Sequence, residues 1–175
     1  MKVWWITLAS SYLLCLVAGL NAKTVYDNGY YVKKYNKFFS GIAATILILV
    51  AGLRNGIGDT PIYMGGFKKD APSTIQESIK LLFSGKKDVG FYFYQGILKT
   101  IKNDPNVFIF VTSLITIILI FITYYKYSQM LELSIFLFIV TGCYLVTMNG
   151  VRQYLASAIL FFCFPLIHER KWKIY

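Results

Sequence analysis

Five long apolar runs constrain the fold of this chain more than any other feature of its sequence. They lie near residues 3–22, 38–53, 107–125, 133–148 and 154–167. Only 15% of the 175 residues are charged, whereas soluble domains carry roughly 25%. Soluble helices also show a polar stripe, which these runs lack. The sequence therefore predicts one all-α transmembrane domain over residues 1–175, a polytopic helical bundle with about five spans.

The first run has a second interpretation, because Lys2 precedes a long apolar stretch, as in a cleaved signal peptide. The run ends in Gly19-Leu20-Asn21-Ala22, with Leu where a cleavage site needs a small residue. It is also about 20 residues long, while a signal core has roughly 7–15. We therefore expect a retained first span.

The charges in the connections predict how the chain is oriented in its membrane. Basic residues lie between the first and second runs, between the third and fourth runs, and after the fifth run: Lys23, Lys33, Lys34, Lys37, Lys126, Arg170, Lys171 and Lys173. Basic connections favour the cytoplasmic side. The N-terminus and the 54–106 segment then face outward. Since two spans separate Arg54 from Arg152, these two residues share one side whatever the orientation.

The 54–106 segment is too long for a plain connector. Ser73-Thr74-Ile75-Gln76 has the pattern of a capping box, and apolar residues then recur on one helical face as far as Phe83. Residues 91–102 show a second helical pattern, and Asp104-Pro105-Asn106 is typical of the start of the third span. We expect two short amphipathic helices lying on the outer membrane surface.

Arg54 and Arg152 are the main candidate functional residues. Each ends an apolar run, and only 3 of the 18 basic residues are Arg. The Arg fork binds phosphate or carboxylate bidentately. Asp59 follows Arg54 in a turn with two glycines and could orient a hydroxyl or act as a base. Two alternatives stay open: that Arg54 and Asp59 simply pair, and that Arg152 snorkels at the edge of a helical hairpin.

Several kinds of site are not indicated by the sequence. The three cysteines lie inside apolar runs at spacings that match no zinc or redox motif. Nucleotide-binding glycine motifs and a Ser-His-Asp set are absent from the sequence. The net charge of +10 is explained by lysines in the connections, and no segment resembles a base-reading module. We expect no metal, no cofactor and no nucleic-acid partner.

Three blocks of the chain resemble the EpsG family of bacterial exopolysaccharide membrane proteins, which is grouped with Wzy-like polymerases. The blocks are residues 52–64, 90–92 and 149–156. The resemblance implies a location in the bacterial cytoplasmic membrane. It implies that the protein joins repeat units carried on undecaprenyl pyrophosphate at the outer face, with membrane lipids and other polysaccharide-assembly proteins as partners. Family members look about double this length, so we expect an N-terminal half.

A glycosyltransferase of this type needs cations for its diphosphate leaving group and a base for the acceptor hydroxyl. Arg54 and Arg152 are expected to hold the diphosphate, and Asp59 to position or deprotonate the acceptor. Four further residues are expected to bind the substrate: Tyr63, Tyr92, Asn149 and Gln153. Two other functions stay open. One is a flippase or transporter of the same lipid-linked glycan, which would need charges along a path through the membrane. The other is a non-catalytic, truncated membrane subunit.

Overall fold

The computed structural model describes residues 2–20, 22–27, 30–85 and 87–168. Its helices in chain order are α1 (Lys2–Leu20), α2 (Lys37–Gly52), α3 (Thr60–Lys69), α4 (Ile75–Leu82), α5 (Val89–Ile101), α6 (Pro105–Tyr127), α7 (Leu131–Val140), α8 (Cys143–Asn149) and α9 (Val151–His168). Each predicted apolar run is helical over most of its described residues, which confirms the helical class. The basic residues Arg170, Lys171 and Lys173 lie outside the described residues, and the orientation stays a prediction.

A two-stranded antiparallel hairpin, β1 (Lys23–Asp27) and β2 (Tyr30–Lys34), joins α1 to α2. The prediction of an all-α chain missed it. The rings of Tyr26 and Tyr31 lie opposite each other across the hairpin, with centroids 5.1 Å apart. Cross-strand aromatic pairs of this kind stabilise a hairpin. The segment is too short and too basic to stand out as a strand pattern in the sequence.

Among the described residues, only α1 and α6 are long and apolar enough to cross a membrane alone. A third candidate is the pair α7–α8, which bends by 56° at its break. Gly142 forms that break with φ 83°, a left-handed conformation that glycine adopts at little cost. The helices α2 and α9 are apolar but shorter. The structure thus has two or three candidate spans, and the predicted count of about five is not confirmed.

The long helices pack side by side, α1 against α2 and α7, and α6 against α2 and α9. One end of this bundle is held by Tyr35, and we call it the Tyr35 end. The Tyr125 hydroxyl donates to the Tyr35 carbonyl (2.9 Å), and the Tyr35 hydroxyl donates to the Ser128 carbonyl (3.2 Å). The Leu131 N–H donates to the same Tyr35 hydroxyl (3.1 Å). These bonds join the start of α2 to the connection between α6 and α7.

The helices α3 and α5 pack on the first turns of α6. The rings of Phe67 and Phe108 stack with centroids 4.8 Å apart. The Tyr94 and Thr112 hydroxyls are hydrogen-bonded at 2.9 Å. Lys99 donates to the Ala71 carbonyl just beyond α3 (2.8 Å). The 54–106 segment is therefore anchored to a membrane-length helix.

The two amphipathic helices predicted in this segment are present as α4 and α5. The capping residues lie one position later than predicted: Thr74, rather than Ser73, accepts the Glu77 N–H (3.3 Å), and Glu77, rather than Gln76, accepts the Ser73 N–H (3.0 Å). Ser78, at the edge of the apolar stripe, is buried against α5, where a Cβ on Gly96 would overlap it. The apolar residues Ile75, Ile79, Leu82 and Phe83 are exposed. The helix thus turns its apolar face away from the protein, as expected of a helix that meets a membrane.

Candidate functional site

Two of the three sequence blocks meet at the end of the bundle opposite Tyr35, which we call the Arg54 end. The Asp59 N–H donates to Asn149 Oδ1 at 2.9 Å, across 90 residues of sequence. Arg54 Nη2 donates to the Met148 carbonyl at 3.1 Å. Arg152 follows in the first turn of α9. Both arginine-bearing motifs therefore lie at the same end of the bundle, as the parity of the spans predicts.

Arg54 is buried, with 8% of its surface exposed. Its Nε donates to Thr60 Oγ1 (2.9 Å), and its Nη1 donates to Ser113 Oγ (2.6 Å) and to the Ala51 carbonyl. With the bond from Nη2 to Met148, the guanidinium uses four of its five N–H groups on the protein. Arg54 thereby joins α2, the start of α3, α6 and α8.

The positive charge of Arg54 has no carboxylate partner among the described residues. Ala51 and Met148 instead lie in the last turns of α2 and α8. The carbonyls of a helix C-terminus carry partial negative charge, which stabilises a nearby cation. Burial lowers the pKa of Arg54 to about 10, so the guanidinium stays charged at neutral pH. The alternative interpretation, an Arg54–Asp59 ion pair, is not observed.

The turn between Arg54 and α3 presents Asp59. Gly56 and Gly58 have φ of 67° and 54°. A Cβ on Gly58 would overlap the Asn149 side chain, so this turn can approach Asn149 only with glycine at that position. Asp59 precedes α3 without capping it. Its partly exposed carboxylate has no hydrogen bond to any residue that the structure describes.

Arg152 is far more exposed than Arg54, with 43% of its side chain accessible. Its Nη1 forms an ion pair with Asp88 Oδ2. Asp88 directly precedes α5 and has φ 63°. Neither interpretation of Arg152 from the sequence, as a diphosphate ligand or as a snorkelling residue, included this ion pair. Asp88 was missed in the sequence because an Asp before a helical pattern is an ordinary helix start, and nothing local indicates a partner 64 residues away.

The four residues predicted to bind substrate are spread over the Arg54 end and α5. Asn149 and Gln153 are exposed on either side of the turn between α8 and α9. Tyr63 lies one turn after Asp59, with its ring 6.2 Å from that of Phe91. Tyr92 is partly exposed one turn after Asp88. Of these four, only Asn149 uses its side chain to bond another predicted site residue within the described ranges. The Tyr63 N–H donates to the Asp59 carbonyl along the backbone (3.1 Å).

Sequence reasoning also missed Thr60 and Ser113, which hold the Arg54 side chain. Ser113 belongs to an apolar run in which small hydroxyl residues usually bond their own helix. Only the packing of α2 against α6 shows that it faces Arg54. A polar residue inside a long apolar run is the one signal that could have drawn attention to it.

Comparison with known proteins agrees with the resemblance of the three blocks. Residues 37–175 match the model of the EpsG family, a range that holds the whole Arg54 end. No curated protein and no solved structure matches the chain. The matched range covers most of the sequence and includes α2 and every later helix. With its apolar helices, the chain is an integral membrane protein that belongs to the EpsG family.

Proposed function

We propose that the Arg54 end transfers glycan repeat units from undecaprenyl pyrophosphate during exopolysaccharide assembly, at the outer face of the bacterial cytoplasmic membrane. Membership of the EpsG family supports the role in exopolysaccharide biosynthesis. The observation that supports a transfer reaction is the bond between Asp59 and Asn149. It brings the Asp59 carboxylate, which has no hydrogen bond or ion pair to any residue that the structure describes, beside the turn that carries Arg152.

The reaction requires a base and a cation on the two sides of one anomeric carbon. The acceptor hydroxyl attacks that carbon and gives its proton to the Asp59 carboxylate. The bond from the anomeric carbon to the pyrophosphate oxygen breaks, and both electrons leave with undecaprenyl pyrophosphate. Arg152 stabilises the negative charge that develops on this leaving group. A guanidinium can bind two phosphate oxygens at once, which a lysine cannot do.

The two arginines do not have equal access to a ligand. Arg54 has only one N–H group that is not already used on the protein. We therefore assign the direct contact with the diphosphate to Arg152. The proposed role of Arg54 in catalysis is to hold the turn carrying Asp59 in place and to add a positive charge beneath it.

The other predicted residues are given roles in sugar binding. The Asn149 carbonyl oxygen is taken by the Asp59 N–H, which leaves its NH₂ group to donate to a sugar. Gln153 is exposed on the first turn of α9, and its side-chain amide makes no hydrogen bond to any described residue, so it can bind a sugar. Tyr63 and Tyr92 supply aromatic rings that can stack on a sugar face.

A flippase for the same glycan is the competing function. A path for an anionic substrate would place charges along the membrane interior. Arg54 is the only charged side chain among the buried residues that the structure describes. The buried polar residues inside α6 are hydroxyls, Thr112, Ser113, Thr116 and Thr123. Hydroxyls rather than charges occupy the buried part of α6, which favours a reaction at the Arg54 end over transport.

Complementation tests this proposal. The 175-residue chain and a full-length family relative would each be expressed in a strain that lacks its polymerase, with polymer measured by immunoblot. Asp59→Asn would also be made at the equivalent position in the relative. We expect it to lower turnover at least about 100-fold while leaving the affinity for the lipid-linked substrate unchanged. Asp70→Asn, an exposed acid in the same segment, is the matched control and should keep normal polymer.

Each outcome has a defined meaning. Equal losses of binding and turnover in Asp59→Asn would make Asp59 structural rather than catalytic. Full polymer yield from Arg152→Lys would reject the proposed contact between Arg152 and the diphosphate, since Lys cannot reproduce the guanidinium fork. Polymer from the relative but none from the 175-residue chain would favour the non-catalytic subunit for this chain.

A further inference from the structure

Asp88 adopts an unusual backbone conformation for its residue type. With φ 63°, it is the only residue other than glycine with positive φ in the part of the chain that the structure describes. This left-handed region is unfavourable for residues with a Cβ, although Asp and Asn tolerate it better than most. Conformations of this kind persist where the surroundings impose them, and they concentrate at ligand sites.

Asp88 also lacks the capping hydrogen bond expected at the start of a helix. As the residue before α5 it would ordinarily accept a hydrogen bond from an N–H of the first helical turn. Asn36, Thr74 and Asp104 do so at the starts of α2, α4 and α6. Asp88 makes no such bond, and its carboxylate pairs with Arg152 instead. A long-range ion pair thus replaces the local cap.

The ion pair is suited to being exchanged. Both side chains are 43% exposed, and exposed pairs contribute little to stability. Two phosphate oxygens bind the Arg fork more strongly than one carboxylate oxygen, because the bonds are bidentate and charge-assisted. A diphosphate that reaches Arg152 therefore has to displace Asp88, and has the chemistry to do so.

We propose that Asp88 is a built-in competitor for the diphosphate: it occupies Arg152 in the empty protein and gives it up when the substrate headgroup binds. The inference rests on the proposed function, because it assigns Arg152 to the diphosphate. It adds a residue that sets the affinity of the site. By pairing with Arg152, Asp88 prevents weakly binding anions from occupying it. The same pairing lowers the affinity of the site for the substrate.

Binding of farnesyl pyrophosphate to the 175-residue chain in lipid nanodiscs tests this directly, with farnesol as the uncharged control ligand. Asn has the size of Asp and tolerates the left-handed backbone conformation of residue 88. Thermal unfolding checks that the Asp88→Asn variant is folded. It should bind the probe roughly 2- to 5-fold more tightly than the natural chain, the range expected from the loss of an exposed ion pair. Farnesol binding should not change.

Three further variants make the result specific. Asp88→Gly should tighten binding like Asp88→Asn, because both remove the charge. Asp70→Asn removes one negative charge elsewhere in the same segment and should leave binding unchanged. In an Arg152→Gln background, Asp88→Asn should have no effect. If only Asp88→Gly binds the probe more tightly, the effect comes from backbone strain. That result would overturn the proposal that Asp88 competes with the diphosphate.

The remaining outcomes separate this inference from the proposed function. Three results would overturn the inference: equal affinity of Asp88→Asn and the natural chain, the same gain of affinity in Asp70→Asn, or binding of the probe by no variant. Polymer in the complementation assay would still support the transferase in each of these cases. Tighter binding by Asp88→Asn, with no polymer from either this chain or its full-length relative, supports the inference and rejects the transferase.

Discussion

Replacing Gly58 with alanine is a sharp test of the contact that joins the two motifs of the Arg54 end. Gly58 has φ 54°, where an alanine costs about 1–2 kcal/mol. Its new Cβ would also overlap the Asn149 side chain, which accepts the Asp59 N–H. Forcing such an overlap costs about 1–3 kcal/mol more. We expect Gly58→Ala to lower the free energy of unfolding by about 2–5 kcal/mol.

Gly56→Ala is a matched control two residues away. Gly56 has φ 67°, and a Cβ there would have no atom within 4 Å. It therefore carries only the conformational cost of about 1–2 kcal/mol. The free energy of unfolding would be measured for both variants by denaturant titration in detergent micelles, followed by far-UV circular dichroism. The excess cost of Gly58→Ala over Gly56→Ala reports the contact with Asn149.

A double-mutant cycle completes the test. Asn149→Ala removes the group that the new Cβ would meet, so in that background Gly58→Ala should cost no more than Gly56→Ala does. The two single changes should therefore be non-additive. Equal costs of the two glycine variants, or additive costs in the cycle, would show that the two turns do not touch, and the assembled site would be wrong.

Two other predictions follow from the positions of charged residues. Arg54→Lys should lower the free energy of unfolding by at least about 2 kcal/mol, because buried partners are left unpaired, while Arg152→Lys should change it by less than about 1 kcal/mol. Thermal unfolding in micelles compares them, and equal losses would contradict the burial of Arg54. Lys68→Cys, in a chain without its native cysteines, should react with an impermeant maleimide from outside the cell; reaction only from the cytoplasm would reverse the orientation.

The helices were predictable because their signals are local. The apolar runs have the length of a span or nearly so, and Thr74 and Asp104 cap the helices that their sequence patterns indicate. The break at Gly142 was missed, since glycine within an apolar run is compatible with a continuous helix. The hairpin was missed because a strand pair of five residues each gives too weak a pattern to recognise.

The candidate site was only partly predictable, because its contacts are long-range. The parity of spans placed Arg54 and Arg152 at one end, and the structure agrees. The sequence could not show that Arg54 is buried, since two of the partners of Arg54 are backbone carbonyls at the ends of α2 and α8. Backbone groups have no residue type to recognise. The partner of Arg152 was hidden for a similar reason, as Asp88 looks like a helix cap.

The burial of Arg54 changes how loss of activity in its variants should be interpreted. A guanidinium that persists in a lysine-rich chain indicates a need for a planar fork, but here the fork is filled by the protein's own acceptors. Two helix C-termini supply the negative potential that a phosphate would otherwise provide. Loss of polymer in Arg54→Lys would therefore not demonstrate contact with a diphosphate. Arg152 is exposed, and we expect its variants to keep the fold. They can therefore separate substrate binding from stability, and the chemical assignment of the site depends on them.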